Sequence, residues 1–334
     1  MSLPHIESIG FSCSDLEASS RFFRQGLGFV EGESLLIEGG PYAALLGLPG
    51  AVLRLQRLRI GAETLELTQV LEAGAGTRPG RPLPEDSRSN DHWFQHICLV
   101  VTGMEQALAP LAAVRPSCAA DAISSAPQRL PDWNPGAAGI IAYKFRDPEG
   151  HPLELLQFPP DKGDPRWHAA TDPAPNPAPN PAPGPVLGID HSAIGIADTE
   201  ASCRFYADLL GLRLGGEGVN SGPEQEGLDG LAGVQVRISS LRCPEGAGLE
   251  CLDYRQPTGG RPMPADLGPQ DRAHWQVRLR VAALEPIAAG AEAAGGRLIS
   301  AGIVELGEQA PLIGARRALQ LADPDGHRLQ LIEA

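Results

Sequence analysis

The chain has 334 residues, 42% of them hydrophobic, and a formal net charge of −14. That length accommodates two ordinary domains, and the apolar content suits buried cores rather than disorder. The acidic balance, with no cluster of Lys or Arg to offset it, excludes the basic stripe by which nucleic-acid binders follow a phosphate backbone.

The opening MSLPHIESIGFSCSDL lacks a basic stretch followed by an apolar one, and nowhere do about eighteen apolar residues run uninterrupted. A soluble, cytoplasmic chain without membrane contact is expected. Cys13, Cys98, Cys118, Cys203, Cys243 and Cys251 form no C-x-x-C pair, which leaves neither a zinc knuckle nor a dithiol motif. They are expected to be reduced and mostly buried.

SIGFSCSD alternates as a strand and ends at Asp15, an N-cap for a helix whose Leu16, Ser19, Phe22 and Phe23 recur at helical spacing. GAVLRLQRLRIGAETLELTQVL reads as a hairpin turning at Gly61. After GRPLPED the pattern restarts: HICLVV as a strand, MEQALAPLAAV as a helix, then GIIAYKFRD and PLELLQF as strands joined by a DPEGH turn. DPAPNPAPNPAPGP, Asp172 to Pro185, has no apolar periodicity, and its prolines deny hydrogen-bond donors, so it predicts an extended polyproline-II spacer.

The second half repeats the first. SDLEASSRFFRQGLGF from Ser14 matches ADTEASCRFYADLLGL from Ala197, GRPLPED from Gly80 matches GRPMPAD from Gly260, and RDPEGHPLEL from Arg146 matches ADPDGHRLQL from Ala322. The order is conserved between halves and the spacing drifts slowly, the signature of a tandem duplication with small loop changes.

A strand, an Asp-capped helix, an aromatic pair before LGL, further strands and a DPDGxxLEL turn, present in paired units, resemble the vicinal oxygen chelate superfamily, which includes glyoxalase I, methylmalonyl-CoA epimerase, extradiol dioxygenases and bleomycin-resistance proteins. The resemblance spans both halves. It implies an α+β fold of four βαβββ modules paired into two glyoxalase/dioxygenase-like domains with cupped, mostly antiparallel sheets. The expected division is an N-terminal domain at 1–168 with a candidate metal site, a linker at 169–186, and a C-terminal domain at 187–334 with a degenerate site.

The resemblance also implies a divalent metal held inside a cup by side chains from the first and last strands of each module. Alternate residues of a strand share a face, so a polar residue framed by apolar ones points inward. In the first half these are Glu66 in TLELTQ, His96 in HICLVV and Glu154 in PLELLQF. Two carboxylates and an imidazole suit Zn, Ni, Mn or Fe(II). Counting back seven residues from Asp15 gives Ser8 for the fourth place, a doubtful ligand, with His5 in reserve on the opposite parity. The corresponding positions of the second half hold His191, Glu250, Gln276 and Gln330. Two amides there weaken metal binding, and Arg278 and Arg280 are expected to pair with Glu250.

The paired GRP segments are expected to shape loops, with Arg81 or Arg261 touching a substrate anion as the lesser reading. Trp93 or Phe94 walls the pocket or packs in the core, His151 and His327 belong to turn chemistry, and the loop from Leu130 lies over the first cup as a lid. The resemblance favours a metal-dependent, glyoxalase-like lyase or isomerase acting on a small molecule through a stabilised enediolate, with Glu154 or Glu66 as base. A thiol cofactor is left open, as is a homodimer. The alternatives are an extradiol-type Fe(II) ring-cleaving dioxygenase, whose two-His, one-carboxylate set neither half shows, since the first would need a His at Ser8 and the second replacements for Gln276 and Gln330, and a non-catalytic binding or resistance protein.

Overall fold

The computed structural model describes residues 4–114, 122–168, 184–244 and 246–333. Apart from Gly184 and Pro185, the proline-rich spacer lies outside the described residues, as does Cys118. The remaining five cysteines carry free thiols, with Cys13, Cys98 and Cys251 buried. No helix among the described residues is long and apolar enough to cross a membrane.

Four modules follow one another. The first contains β1 (His5–Ser12), α1 (Leu16–Leu27), β2 (Val30–Glu38), α2 (Gly40–Leu45), β3 (Val52–Ile60) and β4 (Glu63–Glu72). The second contains β5 (His96–Val101), α3 (Met104–Val114), β6 (Gln128–Arg129), β7 (Ile141–Arg146) and β8 (Pro152–Gln157). The third contains β9 (Val186–Ile196), α4 (Thr199–Cys203), β10 (Arg213–Ser221), α5 (Pro223–Asp229), β11 (Gln235–Arg242) and β12 (Gly248–Gln256). The fourth contains β13 (Trp275–Arg280), α6 (Glu285–Gly290), β14 (Arg297–Leu298), β15 (Val304–Glu305), α7 (Ala310–Ile313), β16 (Arg317–Ala322) and β17 (Arg328–Glu333). The helix caps are those the sequence predicts: Asp15 accepts from the Ala18 N–H at 3.0 Å and Asp198 from the Ala201 N–H at 2.8 Å, satisfying donors that the first helical turn leaves free.

The strands form two cupped sheets. One runs β14-β16-β17-β13-β1-β4-β3-β2, with β15 also on β16; the other runs β10-β11-β12-β9-β5-β8-β7-β6. Each sheet therefore takes one module from either side of the spacer. The first module joins the fourth through antiparallel β1 and β13, and the second joins the third through antiparallel β5 and β9. This differs from the expected division, in which 1–168 and 187–334 each close their own cup.

The physical reason lies in contacts that neighbouring modules cannot make with each other. Phe11 of β1 stacks on Trp275 of β13 with centroids 4.7 Å apart, a pairing worth about 0.5–1.5 kcal/mol beyond its buried area. The two GRP segments clasp each other's modules reciprocally. Arg261 places Nη2 2.7 Å and Nε 3.0 Å from the carboxylate of Asp91, whose Oδ1 also accepts the Arg261 N–H. Arg81 does the same to Asp271, which Arg78 also grips. Matching backbone bonds run from the His92 N–H to the Arg261 carbonyl and from the Arg272 N–H to the Arg81 carbonyl. A Cβ on Gly80 would lie 2.0 Å from the Gln270 carbonyl oxygen, and one on Gly260 would lie 1.8 Å from that of Asn90, so only glycine permits the crossing. Arg81 and Arg261 are thus structural and do not face a substrate.

Asp91 and Asp271 are almost fully buried. Burial alone would raise their pKa values, yet the arginine and backbone bonds hold both below the usual carboxylate range. A lowered folded pKa means stabilisation fully present above the unfolded value of about 4 and lost as pH falls below it through the folded value. Asp91→Asn and Asp271→Asn should each cost about 1–3 kcal/mol at neutral pH, at the lower end because the arginines are partly exposed. In thermal unfolding followed between pH 7 and pH 3, the gap between variant and parent should narrow with acid; a pH-independent gap would mean the carboxylate charge is not what the clasp uses.

Candidate metal centre

The pairing of the second module with the third brings together four polar residues, one each from β5, β8, β9 and β12. His96 Nε2 lies 3.0 Å from Glu154 Oε2, and His191 Nε2 lies 4.0 Å from that same oxygen and 3.3 Å from Glu250 Oε2. His96, Glu154 and His191 are buried, with ligand atoms all within 4.8 Å of one another, a group able to hold a metal ion. His96, Glu154 and Glu250 stand on the inward faces of their strands because their neighbours Ile97, Leu153, Leu155, Leu249 and Cys251 are buried in the core on the other side, whereas His191 lies where the β5–β9 register shifts and lines the cavity together with its neighbour Asp190.

The donor chemistry fits a divalent cation. Burial pushes the His96 imidazole down to about 4, which keeps it neutral with a lone pair to give. Burial would raise Glu154, but the charge of Lys144 and the bond with His96 hold it at about 2, so it is ionised. For His191 burial opposes protonation, yet Glu250 and Asp190 outweigh it and raise the pKa. Surroundings negative enough to favour a proton there also favour a metal cation. His191 Nδ1 is 2.9 Å from Asp190 Oδ2, which fixes the ring, while the buried Nε2 has no hydrogen-bond partner. A carboxylate behind a histidine, with the other nitrogen aimed into a cup, is the arrangement that orients metal ligands. Asp190 is itself held by the Arg242 guanidinium at 2.8 Å and the Trp167 indole N–H at 3.2 Å.

The centre opens into a cavity of about 540 Å³, within the range of small-molecule sites. Leu130, Ile140, Leu156, Leu228 and Leu252 make an apolar wall, and Asn134, Asn220 and Gln225 a polar one. The loop predicted as a lid does line this cavity, through Asn134 to Ala137, and Asn134 donates to Asn220 of the third module at 2.6 Å. Lys144, opposite Glu154 in the β7–β8 ladder, reaches Asp229 at the end of α5 with its Nζ 2.6 Å from Oδ1. Trp93 and Phe94 do not line the cavity; both pack in the interior.

The other expected residues separate from this group. Glu66 belongs to the opposite sheet, where Arg57 Nε is 3.2 Å away and Arg278 Nη1 3.6 Å away. Arg278 therefore pairs with Glu66 rather than Glu250, and its Nε donates to Gln330 at 2.7 Å. Arg280 pairs with Glu7. Ser8 sits on β1 opposite Arg278, and Gln276 accepts from Gln320. His5 stands at the start of β1 against Gly246. Tyr42 of α2 fills this second cup, fully buried and with its hydroxyl pushed up to about 12 by burial and then by Glu66. The expected grouping of Glu66 with His96 and Glu154, and of His191 and Glu250 with the two glutamines, is replaced by one cup with two His and two Glu and one without His. His151 and His327 serve turns: each ring accompanies its own DP turn, the former 2.9 Å from Asp147 and the latter bonded to the Gly195 carbonyl.

Sequence reasoning missed Asp190, Lys144, Asp229 and Arg242. Two of them carried a signal: Asp190 directly precedes His191, and Lys144 is a charge between Tyr143 and Phe145 on the parity of Ala142.

Residues 191–332 match the model of a glyoxalase-like domain. Glyoxalase I from Zea mays is similar over 99% of this chain and 92% of its own, at 14% identity and a TM-score of 0.57. The chain shares the fold of glyoxalase I over nearly its whole length. A putative dioxygenase from Bacillus subtilis shares this fold over 100% of this chain and 86% of its own, at 12% identity and a TM-score of 0.54. At such identities the likeness establishes the fold and not the reaction. No curated protein matches this chain in sequence.

The Lys144–Asp229 pair closes the cavity floor with both charges out of solvent. Burial opposes the lysine's charge, but Asp229 more than offsets it and raises its pKa. Asp229→Ala should destabilise the protein by about 3–5 kcal/mol, because it strands a buried ammonium. Chemical denaturation measures this, and a loss below about 1 kcal/mol would mean the lysine finds water.

Proposed function

We propose that this chain is a metal-dependent enzyme acting on a small molecule, with a single centre at His96, Glu154, His191 and Glu250, and that its reaction is a glyoxalase-like lysis or isomerisation. The observation that carries the reading is the two-His, two-Glu set drawn from four strands, with a neutral His96 and an ionised Glu154. When bound, a divalent cation supplies Lewis-acid stabilisation of charge developing on substrate oxygen.

The two carboxylates have different surroundings. Glu154 is almost fully buried, tied to His96 and held near 2, which makes it a steady anionic donor and a weak base. Glu250 has 18% of its side chain exposed and borders the cavity beside His191, so it is the one placed to take a proton from substrate carbon and return it. Glu66 has no part in this, being paired with arginines in the other sheet. The apolar wall holds the substrate body and excludes water, while Asn134, Asn220 and Gln225 orient its polar groups.

A second reading is favoured by one observation. His96, His191 and Glu154 alone make the two-His, one-carboxylate set of non-haem Fe(II) oxygenases. In that case Glu250 is dispensable and the metal is iron.

Metal content by mass spectrometry on untagged protein tests both. About one transition metal per chain is expected, lost in His96→Ala and His191→Ala and retained in Glu66→Gln. No metal after reconstitution would sink both enzymatic readings and leave a binding protein. Glu250→Gln should lower turnover by about 10²–10⁴-fold, the usual contribution of a positioned base; a fully active variant containing iron would decide for the oxygenase.

A further inference from the structure

A second cavity, of about 350 Å³, lies outside the metal centre at the rim of the filled cup, between the 263–265 loop, β14 and the turn joining β16 to β17. Arg297, Ala322 and Arg328 form one row across three adjacent strands there: Arg297 is opposite Ala322, and Ala322 is opposite Arg328. Directly opposed residues share a sheet face, and two strand spacings put the arginine Cα atoms roughly 10 Å apart. The alanine between them leaves a hollow over which both guanidinium groups reach.

Among the described residues no carboxylate forms an ion pair with Arg297 or Arg328. Asp323 and Asp325 also line the cavity, but their oxygens serve other groups. Asp323 accepts from the Asp325 and His327 N–H groups and from the Tyr206 hydroxyl, and Asp325 accepts from the Ala197 N–H and faces His92. Arg328 is 7% exposed; its Nη2 donates to the Leu267 carbonyl at 2.8 Å, and its Nη1 has no partner. Burial and the like charge of Arg297 outweigh the opposite charge of Asp323 and pull its pKa down to about 10.

The duplicated module shows that this is not a requirement of the fold. The row there is Arg146 opposite Pro152. Arg146 donates to the Ser87 carbonyl, the counterpart of Leu267, and its other terminal nitrogen donates to the Gly150 carbonyl. In the fourth module the arginine has moved one strand over. It keeps the loop-carbonyl contact, loses the turn-carbonyl contact and gains a second arginine across an alanine. A buried guanidinium with a free N–H and a like-charged neighbour is costly unless an anion completes it.

We propose that Arg297 and Arg328 form a binding site for a phosphate-type oxyanion, free or as the end group of a small phosphate ester. Planar guanidinium forks match such oxygens. The hollow, at the lower end of small-molecule sites, admits the group with a short substituent.

The test is titration calorimetry of the full chain at low ionic strength with inorganic phosphate, and separately with glycerol phosphate, against sodium chloride at matched ionic strength. Phosphate should bind the parent where chloride does not, with the dissociation constant raised at least about tenfold in Arg297→Gln and in Arg328→Gln. It should be unchanged in Arg242→Gln, which removes the arginine of the large cavity. Tighter binding of glycerol phosphate than of inorganic phosphate would identify an ester as the occupant. Arg297 is exposed, so its variant remains informative should Arg328→Gln fail to fold. Absence of phosphate binding to the parent, equal binding by Arg297→Gln, or loss only in Arg242→Gln would each overturn the proposal.

Discussion

The reciprocal grip of two arginines on two aspartates decides what the rest of this molecule can be. Four similar modules can close two cups in more than one way, and backbone pairing alone does not choose between them. Arg261 on Asp91 and Arg81 on Asp271 tie each GRP segment to the loop that feeds the first strand of a module in the other half. The aspartates are buried and accept backbone N–H groups as well, so a chain paired differently would strand them. Because Asp91 lies five residues before His96, the clasp that selects the module pairing also sets the start of a strand carrying a residue of the candidate metal centre.

Much of the fold was legible because it is local. Alternation, Asp caps at Asp15 and Asp198, the turn at Gly61 and the repeated DP turns are short-range signals, and each has its counterpart in the structure. Site positions within a module were legible for the same reason: strand parity puts His96 and Glu154 inward, and the internal repeat carries the ligand positions over to His191 and Glu250. Which modules share a cup is a long-range matter, and strand parity says nothing about it. Treating neighbours in sequence as neighbours in space separated His96 from His191 and joined it to Glu66. The contacts that settle the grouping, such as Phe11 on Trp275, link residues hundreds of positions apart. The two-His set was therefore in the sequence but divided between its halves.

The two cups then show how one scaffold can be emptied or filled. Where the open cup has His96, Lys144, Glu154 and His191, the duplicated positions of the other hold Gln276, Gln320, Gln330 and Ser8. Each exchange replaces an ionisable group or strong donor by a neutral one. Cys98, buried behind the metal centre, corresponds to Arg278, whose guanidinium extends to Glu66 and Gln330. A fixed internal cation thus stands among the remaining ligand positions. It neutralises Glu66 without leaving coordination positions for a substrate.

The short helices complete the difference. GPYAAL of α2 and PEQEGLD of α5 occupy corresponding places after the second strand of their modules. The first is apolar and sends Tyr42 and Leu45 into the interior, where they pack with Leu53, Leu55 and Ile313. The second is polar, keeps Gln225 and Asp229 buried, and spends Asp229 on Lys144 instead of on filling space. An open cup beside ionised groups needs walls that stay dry and charges that stay paired, because an unpaired ammonium beneath Glu154 would draw the carboxylate away from His96. Asp229 prevents that by satisfying the lysine from the opposite side. The cavity over the candidate metal centre is thus maintained by a helix that adds no residue to the His96, Glu154, His191 and Glu250 group, and its counterpart shows that an apolar sequence in the same place closes the cup.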